Sequence, residues 1–158
     1  MYETILVPTD GSREVEQALE YAFDLATTHN ATIRALYVIN AASYGGLPID
    51  SALEGVADVV DGSGTAAVGR VEELAPADVP VETAIRRGEP SQVIVAEADA
   101  TACDLVVMGT HGRGGIDRLL LGSVTERVVR RSPVPVLTVQ IERDGLESSV
   151  DRSPVATE

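Results

Sequence analysis

Residues 105–123, LVVMGTHGRGGIDRLLLGS, join the most apolar run of the chain to its densest cluster of glycines. The run from Leu105 to Met108 has the length and composition of a buried strand. Gly109 follows it directly, and Gly122-Ser123 precede a segment with helical spacing up to about Arg131. A buried strand, a glycine-rich loop and a helix in this order are typical of α/β domains that bind ligands at strand ends.

Strands and helices alternate on both sides of this segment. The predicted strands are Thr4–Pro8, Thr32–Ile39, 81–86, 105–108 and 134–139. The first predicted helix begins after Ser12 and ends near residues 29–30, and the second occupies one or two pieces of 51–74. The third starts at Gly88-Glu89-Pro90 and ends near residue 100. The fourth covers 123–131. This alternation predicts a single α/β domain with a doubly wound, five-stranded parallel sheet and helices on both faces.

Composition limits the classes of protein to which the chain can belong. Its 158 residues suit one domain, and no apolar run approaches the ~18 to 20 residues that span a bilayer. The N-terminus has no basic segment followed by an apolar one, and a single cysteine, Cys103, excludes an internal disulfide. We therefore expect a cytoplasmic protein with no membrane partner, in which Cys103 is a buried structural thiol.

The charge balance narrows the partners further. All 12 basic residues are arginine, and 25 acidic residues bring the formal net charge to −13. Nucleic-acid partners are not expected, because they require a dominant basic face. The lysine-free acidic composition favours a salt-adapted, halophilic origin, since salt near 1 M screens surface repulsion within ~3 Å. A GC-rich genome that replaces lysine with arginine is the alternative explanation for the lysine-free composition.

Residues 142–158 carry five acids and little apolar material, which predicts a disordered tail after a domain of residues 1–141.

The loop from Gly109 to Ser123 has the properties of a phosphate-binding site. Glycines let backbone N–H groups approach a ligand, and a helix start at Ser123 offers unpaired N–H groups. Residues 109–131 carry five arginines and two acids, a local charge of +3 that leaves −16 for the remainder. Three of these arginines lie late in the predicted helix, where they complement its dipole: Arg127, Arg130 and Arg131. Arg113 and Arg118 remain as candidates for contacts with phosphate.

The spacing of the loop separates it from the common nucleotide-binding loops. A Walker A loop needs a lysine, which the chain lacks, and no G-x-G-x-x-G follows the first strand. Two residues separate Gly109 from Gly112, and nine residues then precede Gly122-Ser123. This pattern resembles the ATP-binding signature of the universal stress protein family. The segments ILVPTDGS (5–12), DLVVMGTHG (104–112) and SPVPVL (132–137) share the resemblance, which covers residues 2 to 140 and is loose in the middle.

The resemblance implies a Rossmann-like sheet of order 3-2-1-4-5, ATP as the ligand, and a homodimer paired through the last strand, Val136–Val139. An exposed apolar edge strand independently favours a partner strand. Mg²⁺ or Mn²⁺ would bridge the phosphates, which an acidic protein particularly needs. The implied contacts to phosphate and ribose are Gly109, Gly112, Gly122 and Ser123, with the backbone of Val124 beside them. Those implied for the adenosine are Pro8, Thr9, Asp10 and the backbone of Val38, with Met108 nearby.

Several residues allow a simpler interpretation beside the functional one. Asp10 either shapes an Asx turn or holds a ribose hydroxyl or a metal, and we favour the ligand role. His111 has no nucleophile, carboxylate or second histidine near it in sequence, so a loop residue is favoured over a general base. Ser12 is placed to cap the first helix, and Ser123 can cap the last helix while it contacts phosphate.

These observations predict an ATP-binding module of the stress-response type rather than an enzyme. A slow ATPase or nucleotidyl-transfer enzyme is the first alternative, but it needs a general base or an activating lysine that the sequence does not clearly offer. A dimerisation module that binds no nucleotide is the second, and the intact glycine loop counts against it.

Overall fold

The computed structural model describes residues 1–40, 42, 54–111 and 121–140, and of 54–60 the backbone alone. Five strands and four helices alternate in this part of the chain. The strands are β1 (Thr4–Pro8), β2 (Thr32–Ile39), β3 (Val81–Arg87), β4 (Leu105–Gly109) and β5 (Val136–Val139). The helices are α1 (Arg13–His29), α2 (Glu54–Leu74), α3 (Pro90–Ala100) and α4 (Ser123–Arg131).

The five strands form one parallel sheet with the order β3-β2-β1-β4-β5. From β1 the chain moves outward through β2 and β3, and it then returns to β4 on the other side of β1. The predicted doubly wound fold and its strand order are therefore confirmed. The winding reverses between β1 and β4, and in such sheets this is where the carboxyl ends leave a crevice.

Two apolar clusters cover the two faces of the sheet. On one face α1 and α2 pack against β1 and β2 through residues such as Leu19, Val71 and Ile33. On the other face Ile94 of α3 and Val128 of α4 pack against the sheet. Because parallel strands are buried on both faces, consecutive residues of β1 and β4 are apolar instead of alternating with polar ones. Cys103 is buried in the second cluster, as expected, and this desolvation raises the pKa of its thiol.

One element differs from the sequence-based prediction, and another follows one of its two predicted alternatives. The last strand begins at Val136 instead of residue 134, because the Val134 amide donates to Ser132 Oγ and the flanking prolines have no N–H to donate. Residues 54–74 form one helix in spite of their glycines. The predicted start of this helix at 51–53 and the tail at 142–158 lie outside the described residues.

The first strand is held against β4 by a carboxylate. Asp104 Oδ2 accepts hydrogen bonds from the amides of Glu3 (2.7 Å) and Thr4 (2.9 Å), just before β4 begins. These two bonds hold the pKa of Asp104 below its ordinary value, since they stabilise the charged form.

None of the helices in the described part of the chain combines the length and apolarity needed to cross a membrane.

The close packing around Gly64 explains why a glycine is found inside α2. A Cβ at this position would lie 3.0 Å from Tyr37 Cδ1 and 3.3 Å from Ile85 Cδ1, so α2 lies too close to the sheet for a larger residue. Gly64→Ala is expected to lower the free energy of unfolding by about 1 kcal/mol, because overpacking outweighs the gain in helix propensity.

Gly69 in the same helix supplies the matched control. A Cβ there would meet nothing within 4 Å, so Gly69→Ala is expected to raise the free energy of unfolding by about 0.5–1 kcal/mol. Urea unfolding followed by circular dichroism measures both variants. Equal stabilities for the two variants would contradict the close packing of α2 at Gly64.

Candidate functional site

The candidate site lies at the carboxyl ends of β2, β1 and β4, three neighbours in the sheet. Pro8 ends β1 and is paired with Leu36 of β2, so Val38 lies two residues further along that strand. Gly109 ends β4, next to β5. The fold thus brings residues from distant parts of the sequence to one edge of the sheet, at the reversal point where parallel α/β sheets bind ligands.

The turn between β1 and α1 is closed by its own side chains. The Thr9 amide donates to Leu36 O (2.8 Å), and Thr9 Oγ1 accepts from the amide of Gly11 (3.1 Å), which has φ of 75°. Asp10 Oδ1 accepts from the Ser12 amide at 2.9 Å. Asp10 therefore shapes an Asx turn, as one of its two interpretations predicted, and this leaves the proposed ligand role to a test.

Ser12 occupies the N-cap position of α1 but does not cap the helix with its side chain. The backbone is extended there, with φ −79° and ψ 156°, yet no side-chain capping bond is formed. Its hydroxyl oxygen is enclosed and has no hydrogen-bond partner among the described residues. The capping bond that the sequence predicted is thus absent, although the helix begins where expected.

The junction between β4 and α4 is closed by backbone contacts across the glycine-rich loop. The Gly122 amide donates to Thr110 O at 2.7 Å, and the Thr110 amide donates to Val139 O of β5 at 2.9 Å. Thr125 Oγ1, which is buried, donates to Gly109 O at 3.0 Å. Both ends of the loop are therefore held together, and the start of α4 is held against the end of β4.

Gly122 matters because of this close approach. A Cβ built on it would lie 3.3 Å from Thr110 O and 3.7 Å from the Cα of His111. Gly122 is also the N-cap of α4 and has no side chain to cap the first-turn N–H groups of Ser123, Val124 and Thr125. A helix start of this kind presents N–H donors and a partial positive charge to an anion.

Val38 and Met108 form the apolar part of this edge. Met108 is buried in the cluster beneath α3 and α4, and Val38 packs against the same cluster while it stays partly exposed. An apolar surface beside the backbone donors of α4 suits a ligand with a flat apolar part and an anionic part.

The arginines of α4 do not all behave as predicted. Arg130 and Arg131 lie in the last turn, as expected. Arg127 instead lies in the middle of α4, where its Nη1 is 3.3 Å from Oε1 of Glu89, the N-cap residue of α3. The other oxygen of Glu89 accepts from the Ser91 hydroxyl and the Gln92 amide (2.9 Å), and these bonds lower the pKa of Glu89. Arg127 therefore belongs to a contact between α3 and α4.

Three of the predicted phosphate partners lie in 112–120, outside the described residues: Gly112, Arg113 and Arg118. His111 Nδ1 is 3.2 Å from Thr110 Oγ1 at the start of that segment. No group of three His, Cys, Asp or Glu side chains in the described ranges is arranged to hold a metal ion. Sequence reasoning missed Thr110 and Thr125, although the spacing of Thr125 and Val128 on one helix face signals that Thr125 is buried.

Comparison with known proteins supports one family. The model of the universal stress protein family matches residues 1–140. Universal stress protein MJ0531 of Methanocaldococcus jannaschii is 36% identical over 141 residues, which cover 89% of this chain and 83% of that protein. The structure of UspA from Lactobacillus plantarum superposes with a TM-score of 0.71 at 28% identity, covering 87% of this chain and 97% of its own. A universal stress protein solved in complex with cAMP superposes with a TM-score of 0.63 at 27% identity, covering 88% and 97%.

Proposed function

Because the chain belongs to the universal stress protein family, we propose that it binds ATP in the crevice between β1 and β4 and acts as a nucleotide-dependent stress-response module. The observation that carries this proposal is the closed junction of Thr110 and Gly122, which leaves the first N–H groups of α4 uncapped at the carboxyl edge of the sheet. A polyphosphate is the ligand that such a set of donors suits best.

The resemblance to the universal stress protein family implies which residues contact each end of the nucleotide. The phosphates and ribose lie against Gly109, Gly122, Ser123 and the backbone of Val124, with Gly112 and Arg113 as further contacts. The adenosine lies against Pro8, Thr9, Asp10, Val38 and Met108, and Val38 and Met108 belong to an apolar cluster. A solved relative with bound cAMP, at 27% identity, supports an adenine ligand for this fold. Mg²⁺ or Mn²⁺ on the phosphates reduces their repulsion from a protein of charge −13.

Calorimetric titration tests the proposal directly. Nucleotide-free protein is titrated with ATP and Mg²⁺, in dilute and in molar potassium chloride because the composition favours a salt-adapted origin. We expect one site per chain with a dissociation constant in the micromolar range, and GTP as the control binds more weakly. Mass spectrometry of the ligand released from freshly purified protein identifies a nucleotide carried from the cell. Heat of binding no larger than the dilution heat at both salt concentrations would exclude the proposed function.

We further propose that two copies pair along β5. This strand is an edge of the sheet, and Leu137 is 36% exposed on it, while Val129 of the adjacent α4 is 45% exposed. An edge strand with apolar side chains favours pairing with a second copy, because pairing satisfies its free backbone groups. Leu137→Arg is expected to convert a dimer into a monomer in sedimentation equilibrium. A wild-type chain that sediments as a monomer contradicts this pairing.

A further inference from the structure

Thr125 is a buried threonine in the first turn of α4, and its Oγ1 donates to Gly109 O at 3.0 Å. A threonine in a helix usually donates instead to a carbonyl three or four residues earlier in its own helix. Thr28 in α1 and Thr65 in α2 do so, each to the carbonyl four residues earlier, at 2.8 and 3.0 Å. Thr125 joins α4 to the end of β4, 16 residues away in sequence. Its bond therefore connects two elements and does more than satisfy a hydroxyl within one helix.

The acceptor of this bond is on the crevice side of β4. The Gly109 carbonyl and the Thr110 amide belong to the same trans peptide group, so they point in opposite directions. The Thr110 amide donates to Val139 O of β5. The Gly109 carbonyl consequently points away from β5, toward the side of β1, which is the other neighbour of β4. Thr125 thus holds α4 against the crevice side of the strand end.

This bond lies on one side of the proposed phosphate donors, and a second bond lies on the other. The Gly122 amide donates to Thr110 O at 2.7 Å just before the donors, and Thr125 follows them directly. The amides of Ser123 and Val124 lie between these two points. A single contact would let the first helical turn pivot about it, whereas two contacts fix the direction of its N–H groups. Hydrogen bonds weaken steeply when their angle departs from linear, so this direction matters for a bound anion.

We infer that Thr125 is a positioning residue, whose hydroxyl controls the affinity for the phosphates without touching the nucleotide. This inference rests on the proposed function, because it identifies what orients the N–H groups of Ser123 and Val124 in that site. The Thr125 side chain is buried, with only 4% of the residue exposed, so it acts through the backbone of α4. The adenosine contacts proposed on β1 and β2 do not depend on α4. Loss of the hydroxyl therefore weakens a ligand with phosphates far more than it weakens adenosine.

Calorimetric titration of Thr125 variants with ATP and with adenosine tests the inference. Thr125→Val keeps the branched shape of the side chain, and loss of its one hydrogen bond is expected to weaken ATP about 5- to 10-fold while adenosine changes less than about 2-fold. Thr125→Ala also lacks the hydroxyl, and the same separation of ATP from adenosine is expected. Thr125→Ser keeps the hydroxyl and restores most of the ATP affinity. Thr65→Val, which removes a hydroxyl bond within α2, is the control and leaves both ligands unchanged.

Amide hydrogen exchange followed by NMR gives a second readout, which needs no ligand. The Gly122 amide is protected by its bond to Thr110 O, and this bond is expected to open more often when Thr125 no longer holds the turn. Faster exchange at Gly122 in Thr125→Val, with unchanged exchange in β1, supports the positioning role. Equal exchange at Gly122 in the wild type and in Thr125→Val overturns it, because the hydroxyl then does not hold this turn.

The outcomes separate this inference from the function on which it rests. If Thr125→Val and Thr125→Ala bind ATP as tightly as the wild-type chain does, the inference is wrong and the proposed function stands. Equal weakening of ATP and adenosine also overturns it, because the hydroxyl then maintains the whole crevice and not the phosphate donors. If the wild-type chain binds neither ligand, the proposed function fails and the inference fails with it.

Discussion

Gly122→Val is expected to weaken ATP binding by a factor of about 100 or more. The added Cβ already lies 3.3 Å from Thr110 O, and the two further methyl groups of valine need space that the closed junction does not have. The Gly122 amide must then move off Thr110 O, and the N–H groups at the start of α4 move with it. Loss of two hydrogen bonds to charged phosphate, at about 1.5 kcal/mol each, accounts for this factor.

Calorimetric titration with ATP measures this change, and two further variants control it. Gly122→Ala is expected to weaken ATP only a few-fold, because a single methyl fits if Thr110 gives way slightly. Gly62→Val adds the same side chain on the exposed surface of α2, where a Cβ meets nothing within 4 Å, and leaves ATP binding unchanged. If a folded Gly122→Val variant binds ATP with wild-type affinity, the phosphates do not bind at the start of α4.

Glu97→Ala is expected to lower the free energy of unfolding by about 3–5 kcal/mol, as is typical when one partner of a buried ion pair is removed. Glu97 Oε1 accepts from Nε (2.9 Å) and Nη2 (2.7 Å) of Arg34, and Oε2 accepts from Arg86 Nε at 3.2 Å. The Glu97 side chain is 7% exposed and that of Arg34 16% exposed. Without Glu97, the partly buried guanidinium of Arg34 keeps only Glu82 among the described carboxylates, at 2.9 Å, and the Glu82 side chain is mostly in solvent.

The pKa shift of Arg34 agrees with this assignment. The hydrogen bonds from Arg34 to Glu97 raise the pKa of the guanidinium above its ordinary value, more than burial lowers it. The Arg34 guanidinium is therefore charged within the fold, and removing Glu97 leaves that charge poorly solvated.

Urea unfolding compares Glu97→Ala with a matched surface variant. Glu16 pairs with Arg70 at 3.0 Å, but its partner is half exposed, so Glu16→Ala is expected to cost less than about 1 kcal/mol. The double variant Arg34→Met with Glu97→Leu is expected to recover much of the loss, because it removes both buried charges. Equal costs for Glu97→Ala and Glu16→Ala would show that the Arg34–Glu97 pair contributes no more than a surface pair.

Most of the architecture could be predicted from local patterns. The apolar runs of β1 and β4 and the spacing of Val15, Ala18, Leu19 and Ala22 in α1 depend on neighbours in sequence, and the structure bears them out. Two local predictions failed, and a competing hydrogen bond explains only the second of them. Ser12 has the residue type of a cap and forms no capping bond, and Ser132 takes the Val134 amide that the last strand was expected to use.

The candidate site divides in the same way. The glycines and the helix start at Ser123 could be identified from the sequence because their chemistry depends on residue type and spacing. The contact between Thr110 and Gly122 and the bond from Thr125 to Gly109 could not be identified, because each depends on which segments meet in space. The sequence predicted that Arg127 complements the dipole of its own helix, whereas in the fold it pairs with Glu89 from another helix.

By itself, then, the sequence determined a parallel α/β sheet, its family resemblance and the glycine-rich loop at residues 109–123. Hydrophobic periodicity and glycine spacing act over a few residues, so they are visible in one dimension. Only the tertiary structure decided how the loop closes at Gly122 and which charges pair around Glu97. Hydrogen bonds and ion pairs require contact within a few ångström, and that contact exists only after β1, β4 and their helices have come together.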